Sequence, residues 1–262
     1  MDRKNRPIGF FDSGVGGLSV LKEAIKLMPK EHYIYFGDSK NAPYGVREVA
    51  DVRNLTYKAV EFLIEKRAKA IVIACNTATS AAVAALRITY PGIPIIGIEP
   101  AVKPAVNLKK QGSIIIMATP VTLDEKKFNN LMERYRHEAD IIPMPCPGLM
   151  DFIESGKIRG KEVEEYIRDK YEVFNGKKIG AIVLGCTHYP FIKPVIEDIL
   201  GQDIPIIDGG LGTSIELMRR LKGKGLINDS SIEGNIEIYN SLEEENILKI
   251  SKELLYGNGL IR

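Results

Sequence analysis

Short apolar runs alternate with longer amphipathic stretches along the whole chain. Each short run is apolar at several consecutive positions, which is typical of parallel strands buried on both faces of a sheet. The runs predicted as strands are 8–11, 33–36, 71–74, 95–98, 114–117, 141–144, 182–184 and 205–207.

The stretches between these strands carry apolar residues at helical spacing. The ranges predicted as helices are 18–27, 46–65, 78–87, 123–136, 191–200 and 214–221, and the amphipathic tail 242–255 is a further one. Alternation of strands and helices predicts an α/β fold with mainly parallel sheets. In such folds, ligands bind at the carboxyl ends of the strands.

Composition and charge narrow the classes of function. The chain has 262 residues, 45% hydrophobic and 27% charged, as in an ordinary globular protein. Its 36 Lys and Arg and 34 Asp and Glu give a net charge of +2, so we expect no general attraction to nucleic acid or to an anionic membrane. No apolar run approaches the roughly 20 residues of a membrane span, and the N-terminal residues lack the apolar core of a signal peptide. We therefore expect a cytoplasmic enzyme or binding protein.

The chain contains three cysteines, and none has a partner at C-x-x-C spacing. An odd count without close pairs argues against a disulfide framework and against a structural zinc site. We therefore expect no metal, and the cysteines are interpreted as thiols.

An internal duplication is visible around two of these cysteines. Residues 70–77 (AIVIACNT) match residues 181–188 (AIVLGCTH), and in both an apolar strand leads to a cysteine followed by two polar residues. The surrounding order repeats as well: a strand with a polar turn, a second strand with a loop, and then the cysteine strand. Two related units of this kind would place their strand ends around a shared cleft.

Cys75 and Cys186 each follow a strand and precede a turn into a helix. A free cysteine is often a small buried hydrophobic residue, and that interpretation stays open here. A single activated thiol with a histidine base would indicate covalent catalysis. Two thiols from two similar halves suggest instead a two-base racemase. In such an enzyme one thiol removes a proton from a carbon, such as the α-carbon of an amino acid, and the other delivers a proton to the opposite face.

The polar turns offer groups that could hold such a substrate. Residues 12–17 (DSGVGG) combine the Asp12 carboxylate and the Ser13 hydroxyl with backbone N–H groups near a helix start. A tight turn that requires glycine, or a phosphate site, would give a similar pattern. His188 is a candidate general base or proton relay. Short hydrogen-bonding residues also flank the two thiols: Asn76, Thr77 and Thr187.

Together these motifs resemble the bacterial glutamate racemases. The segments that carry the resemblance are 11–17 (FDSGVGG), 37–38 (GD) with 43–45 (PYG), 74–79 (ACNTAT), 97–101 (GIEPA) and 185–190 (GCTHYP). They stand in the family's order over nearly the whole chain. The resemblance implies two similar doubly wound, mainly parallel-sheet α/β domains with the active site between them. It also implies an isomerase that interconverts L- and D-glutamate without a cofactor, for peptidoglycan synthesis, cell wall biogenesis and cell shape.

The resemblance further implies roles for individual residues. Cys75 and Cys186 would be the catalytic thiols, and Asp12, His188 and Glu154 would assist proton transfer. The substrate-binding residues would be Asp12, Ser13, Tyr44, Gly45, Asn76, Thr77, Thr119, Thr122, Thr187 and His188. The family usually has Gly-Thr where this chain has Ala-Thr at 118–119, but both threonine hydroxyls remain available. The third cysteine, Cys146, is expected to be a bystander in a loop near the cleft.

The expected domains are 1–98 plus 209–262, and 99–208, with the helix at 214–221 and the tail packed on the first. The expected partner is a small molecule, glutamate, with no nucleic acid and no membrane, and a homodimer is a candidate assembly. An aspartate or hydantoin racemase is an open alternative, because pocket length cannot be read from sequence. A one-thiol decarboxylase would need only one of the cysteines. A two-lobed binding protein would need an export signal, and a nucleotide-binding module is a more distant alternative.

Overall fold

The computed structural model describes residues 2–124 and 126–257. Its strands are β1 (Ile8–Asp12), β2 (Tyr33–Gly37), β3 (Ala70–Ile73), β4 (Ile95–Gly97), β5 (Ser113–Ala118), β6 (Ile141–Pro145), β7 (Ile179–Leu184), β8 (Ile206–Asp208) and β9 (Ile236–Asn240). Its helices are α1 (Leu18–Leu27), α2 (Val49–Glu65), α3 (Asn76–Thr89), α4 (Val102–Asn107), α5 (Pro120–Asp124), α6 (Lys126–Tyr135), α7 (Leu149–Glu154), α8 (Lys161–Glu172), α9 (Lys193–Leu200), α10 (Gly210–Gly223) and α11 (Glu245–Tyr256). Residues 1, 125 and 258–262 lie outside the described residues. Residue 125 falls in the predicted helix 123–136, and the others fall in the first predicted domain.

The chain divides into two compact units, Met1–Glu99 with Gly210–Arg262 and Pro100–Gly209. Each unit contains one sheet, and every strand pairing in the two sheets is parallel. The predicted two-domain α/β fold is therefore confirmed. Within the part of the chain that the structure describes, no helix has the length and apolar character needed to cross a bilayer.

The sheet of the first unit has the strand order β4-β3-β1-β2-β9. β1 is buried at all five positions, as expected for a central strand covered on both faces. β9 pairs with β2 at the edge of the sheet, with Ile236 opposite Tyr33. The sequence analysis did not predict this strand.

Helices cover both faces of this sheet in two groups. α2 packs against α3, and their apolar residues join Phe11, Ile71 and Ile73 in one core cluster. α1 packs against α10 and α11 instead, and the Tyr33 hydroxyl donates to the carbonyl of Ala24 in α1 at 3.0 Å. The region predicted as the 214–221 helix and the tail thus pack on α1, a helix of the first unit.

The sheet of the second unit has the order β6-β5-β7-β8. Ile114, Ile116 and Val183 form its core with α4 and α6, because alternate side chains of buried strands point to the same face. β6 lies at one edge and carries Pro143 and Pro145, which have no N–H to offer to a further strand.

The two sheets share one topology. The order β2-β1-β3-β4 of the first unit corresponds to β6-β5-β7-β8 of the second, with the added β9 as the only difference in the described sheets. The hydrogen bonds at the strand ends repeat as well: Ala74 N donates to Phe11 O, and Gly185 N donates to Met117 O, both at 2.7 Å. In each sheet the strands that follow the first one lie on its two opposite sides: β2 and β3 flank β1, and β6 and β7 flank β5. Open α/β sheets bind ligands at such a change of strand order, at the carboxyl ends of the strands.

Candidate active site

Cys75 caps the N-terminus of α3 at the carboxyl end of β3. Its backbone is extended (φ −76°, ψ 126°), so the helix begins at Asn76. The sulfur accepts the backbone N–H of Ala78 at 3.5 Å, and the residue is 7% exposed. The positive end of a helix dipole stabilises a thiolate at such a position. The position of Cys75 fits its predicted role as a base.

Asp12 ends β1, the strand next to β3 in the sheet. Its carboxylate is fully buried and accepts the backbone N–H of Gly14 at 3.0 Å. A Cβ on Gly17 would lie 2.6 Å from the Cβ of Asp12, so only glycine lets the start of α1 approach this side chain. Ser13 is buried beside it. Gly17 and the Gly14 N–H therefore both lie close against the Asp12 side chain.

Asp38 organises a buried network that the sequence analysis did not place in the site. It follows β2, and its backbone N–H donates to the carbonyl of Asp12 at 3.0 Å. Its carboxylate accepts the Tyr44 hydroxyl at 2.6 Å and the Asn41 amide at 3.0 and 3.1 Å. Burial, the hydrogen bond and charge of Asp38, and the charges of Cys75 and Asp12 raise the pKa of Tyr44. Tyr44 is therefore a neutral hydroxyl that donates its proton to Asp38, which fixes the position of its oxygen.

Cys186 follows β7 and opens the turn that leads into a short 3-10 helix, Tyr189–Ile192. Its sulfur lies 3.6 Å from Nδ1 of His188, and Nε2 of His188 lies 2.5 Å from Oε1 of Glu154. The His188 and Glu154 side chains are 2% and 18% exposed. This arrangement of a thiol, an imidazole and a carboxylate resembles a catalytic triad. In such a triad the carboxylate orients the imidazole toward the thiol.

The charge of His188 follows from these contacts. Burial alone would lower its pKa, but the hydrogen bonds to Cys186 and Glu154, with the charges of both, raise the pKa of His188 well above its usual value. These contacts favour the protonated form of the imidazole. The position of Cys186 beside this imidazole fits its predicted role as a base.

The loop after β5 carries the two predicted threonines. Thr119 Oγ1 lies 2.9 Å from Thr122 Oγ1 and accepts the backbone N–H of Thr122 at 3.3 Å. These contacts hold both hydroxyls at the carboxyl end of β5, the neighbour of β7. Thr187, which stands between Cys186 and His188 in the sequence, is buried.

Cys146 occupies the position in the second unit that Asp38 occupies in the first. Its backbone N–H donates to the carbonyl of Ala118 at 2.9 Å, as that of Asp38 does to Asp12. The thiol is 1% exposed and donates to the carbonyl of Met144 at 3.4 Å. Burial, opposed by the charge of Lys170, raises the pKa of Cys146 to about 12. A protonated, enclosed thiol of this kind suits a bystander.

The predicted site residues lie in both units, most of them in the segments that follow strand ends, and Glu154 ends α7. Those of the first unit are Asp12, Ser13, Tyr44, Gly45, Cys75, Asn76 and Thr77, and those of the second are Thr119, Thr122, Glu154, Cys186, Thr187 and His188. Residues 2–124 and 126–257 contain no group of three or more His, Cys, Asp or Glu side chains that could hold a metal ion. The individual roles of the site residues stay predictions.

Comparisons with known proteins agree on one family. Residues 13–211 match the model of the Asp/Glu/Hydantoin racemase family. The glutamate racemase of Clostridium botulinum (strain Alaska E43 / Type E3) is 60% identical over 97% of this chain and 99% of that protein.

Solved structures give the same result. The crystal structure of glutamate racemase from Francisella tularensis in complex with D-glutamate matches with a TM-score of 0.80 at 31% identity, over 96% of this chain and 94% of that chain. The Escherichia coli glutamate racemase in complex with L-glutamate and the activator UDP-MurNAc-ala matches with a TM-score of 0.82 at 28% identity, over 96% and 93%. The chain therefore belongs to the Asp/Glu/Hydantoin racemase family, among its bacterial glutamate racemases.

Proposed function

We propose that this protein is a glutamate racemase that interconverts L- and D-glutamate by proton transfer between two thiols. The observation that carries the proposal is the equivalence of Cys75 and Cys186, each of which follows the third strand in chain order of a repeated sheet topology. Glutamate as the substrate is supported by the 60% identity to the C. botulinum racemase and by the neighbours whose crystals contain D- or L-glutamate.

In the proposed reaction the thiolate of Cys186 removes the α-proton of L-glutamate. The electron pair of the broken C–H bond delocalises into the α-carboxylate, and the S–H group of Cys75 then delivers a proton to the opposite face of the α-carbon. D-glutamate leaves, with Cys186 now the thiol and Cys75 the thiolate. The reverse reaction exchanges the two roles, so no cofactor is consumed or required.

In this proposal the neighbours of the two thiols stabilise the thiolates, assist proton transfer and hold the substrate. The His188–Glu154 pair supplies positive charge beside Cys186 when it is a thiolate. The end of α3 supplies N–H groups beside Cys75, and Asp12 assists the proton transfer on that side. The substrate would be held by Ser13, Tyr44, Gly45, Asn76, Thr77, Thr119, Thr122 and Thr187, in addition to Asp12 and His188.

The wider setting belongs to the same proposal. The two compact units would be the predicted domains, 1–98 plus 209–262 and 99–208, with glutamate as the small-molecule partner. We further propose a cytoplasmic enzyme, with a homodimer as the candidate assembly, that supplies D-glutamate for peptidoglycan synthesis.

The test is an assay of racemisation without any added cofactor or metal. Circular dichroism measures the loss of optical activity of L-glutamate and, in parallel, of L-aspartate. We expect glutamate alone to racemise at a substantial rate, and Cys75→Ser and Cys186→Ser each to abolish the reaction, because a hydroxyl is a poor base near neutral pH. Cys146→Ser is the matched control and should keep the activity, since its thiol is enclosed and protonated.

Elimination from 3-chloroglutamate separates the two thiols, because loss of chloride after removal of the α-proton needs one base only. Cys75→Ser should still eliminate from the L-form and Cys186→Ser from the D-form. Equal loss of both eliminations in both variants would contradict the two-thiol mechanism. Faster racemisation of aspartate than of glutamate would contradict the substrate.

A further inference from the structure

Tyr189 is a fully buried residue directly after His188 that the proposed reaction does not use. Its hydroxyl donates to the backbone carbonyl of Cys146 at 3.1 Å. Burial and the charge of Cys186 raise the pKa of this phenol well above its usual value, so it remains a donor over the whole range of enzyme assays. The carbonyl it meets lies at the carboxyl end of β6, two strands away from β7 in the sheet.

This hydrogen bond completes a closed loop of contacts that includes the turn after Cys186. From Cys146 the chain continues through a left-handed glycine, Gly148, into α7, which ends at Glu154. Glu154 meets His188, and Tyr189 returns to Cys146. Within the turn, Tyr189 N donates to Cys186 O at 3.2 Å and Phe191 N donates to His188 O at 3.1 Å.

We propose that Tyr189 is a positioning residue: its hydroxyl bond to the Cys146 carbonyl holds the His188 ring between the Cys186 sulfur and the Glu154 carboxylate. The imidazole must satisfy two partners at once, one on each nitrogen, so a small rotation of the turn weakens one contact or the other. The hydroxyl–carbonyl bond joins the turn to the segment from which Glu154 projects, and it therefore fixes the distance that the imidazole spans. This inference rests on the proposed two-thiol reaction.

Tyr166 provides a matched control. Its hydroxyl donates to the carbonyl of Pro147 at 2.9 Å, so it holds the residue next to Cys146 but makes no described hydrogen bond to the Cys186 turn. If Tyr189 only stabilised the 146–148 segment, Tyr166→Phe and Tyr189→Phe would behave alike. If Tyr189 positions His188, only Tyr189→Phe affects the chemistry of Cys186.

The experiment compares the eliminations from L- and D-3-chloroglutamate in the two variants of the full chain. Rates of racemisation in the two directions cannot separate the thiols, because the equilibrium constant ties the two values of kcat/KM together. We expect Tyr189→Phe to slow elimination from the L-form about three- to tenfold, the net worth of one hydrogen bond, while the D-form changes less than twofold. Tyr166→Phe should leave both eliminations within about twofold of the unchanged enzyme.

A nuclear magnetic resonance readout makes the test independent of catalysis. The chain has three histidines, so the Nε2–H resonance of His188 can be assigned by comparison with His188→Asn. Tyr189→Phe should shift or broaden this resonance, and Tyr166→Phe should not. Equal slowing of both eliminations by Tyr189→Phe, or an unchanged His188 resonance, would overturn the positioning role. Failure of the two-thiol mechanism itself would appear separately, in the Cys75→Ser and Cys186→Ser variants.

Discussion

A buried ion pair in the first unit should contribute strongly to stability without touching catalysis. Lys69 and Glu31 precede β3 and β2, so they lie at the amino ends of the strands, opposite the edge that carries Cys75. Their side chains are 0% and 1% exposed, and Nζ lies 2.5 Å from Oε2. Lys69 also donates to the carbonyl of Lys4, and Glu31 Oε1 accepts the backbone N–H of Asn228 at 2.8 Å. The pair and its hydrogen bonds thus join four separate segments of the chain.

Lys69→Met leaves the Glu31 carboxylate buried without its counter-ion. Removing one partner of such a pair costs about 3–5 kcal/mol, much of it the penalty of the remaining buried charge. At roughly 2–4 °C per kcal/mol for a unit of this size, Tm should fall by about 6–20 °C. Glu31→Gln/Lys69→Met removes both charges and keeps an acceptor for Asn228, so this double variant should be more stable than Lys69→Met.

Urea unfolding followed by far-UV circular dichroism and by tyrosine fluorescence measures these differences, since the chain has eleven tyrosines and no tryptophan. The exposed pair Lys26–Glu23, at 2.7 Å, is the control: Lys26→Met should cost less than about 1 kcal/mol. A loss below about 1 kcal/mol in Lys69→Met would refute the reasoning, as would a double variant that loses the sum of the two single losses. Racemisation by the folded fraction should be unchanged.

Two further predictions concern the site. Asp12→Asn keeps an acceptor for Gly14 but removes the negative charge, so kcat should fall by about 10²-fold or more while KM changes little; a raised KM at unchanged kcat would make Asp12 a binding residue only. Glutamate at a hundredfold excess over its Kd should stabilise the native protein by about 2.7 kcal/mol in a thermal melt, and aspartate should do so much less; the reverse order would favour an aspartate racemase.

The central strands could be predicted from sequence because they are buried on both faces. All eight predicted runs are strands, within a few residues of the observed bounds, and parallel strands of this kind read as continuous apolar segments. The internal match at 70–77 and 181–188 also foretold the repeated topology. A continuous apolar run was therefore sufficient to predict these strands, including the edge strands β6 and β8.

The sequence analysis missed elements whose apolar pattern is interrupted by polar residues or is too short. β9 is an edge strand with Glu237 exposed, so its apolar run is broken. α8 presents only Val163, Ile167 and Tyr171 to the core, and charged residues fill most of its other positions. α4 and α7 have six residues each, which is too short for a helical period to be recognised.

The candidate site was predictable in its residues but not in its contacts. Both thiols stand out because each follows an apolar strand. The link from Glu154 to His188 crosses 34 positions of sequence, and no local pattern encodes it. Asp38 likewise sits in the expected place, after a strand, but its role in holding Tyr44 depends on a turn whose path sequence patterns do not reveal.

The arrangement of the units along the chain has a consequence for synthesis on the ribosome. All strands of the β6-β5-β7-β8 sheet lie within the continuous stretch Pro100–Gly209, whereas the first unit also needs Gly210–Arg262. Until α10 and α11 emerge, the nascent chain lacks the two helices that pack against α1. The unit that begins first is therefore completed last, and during that interval its apolar surface is open to chaperones and to neighbouring nascent chains.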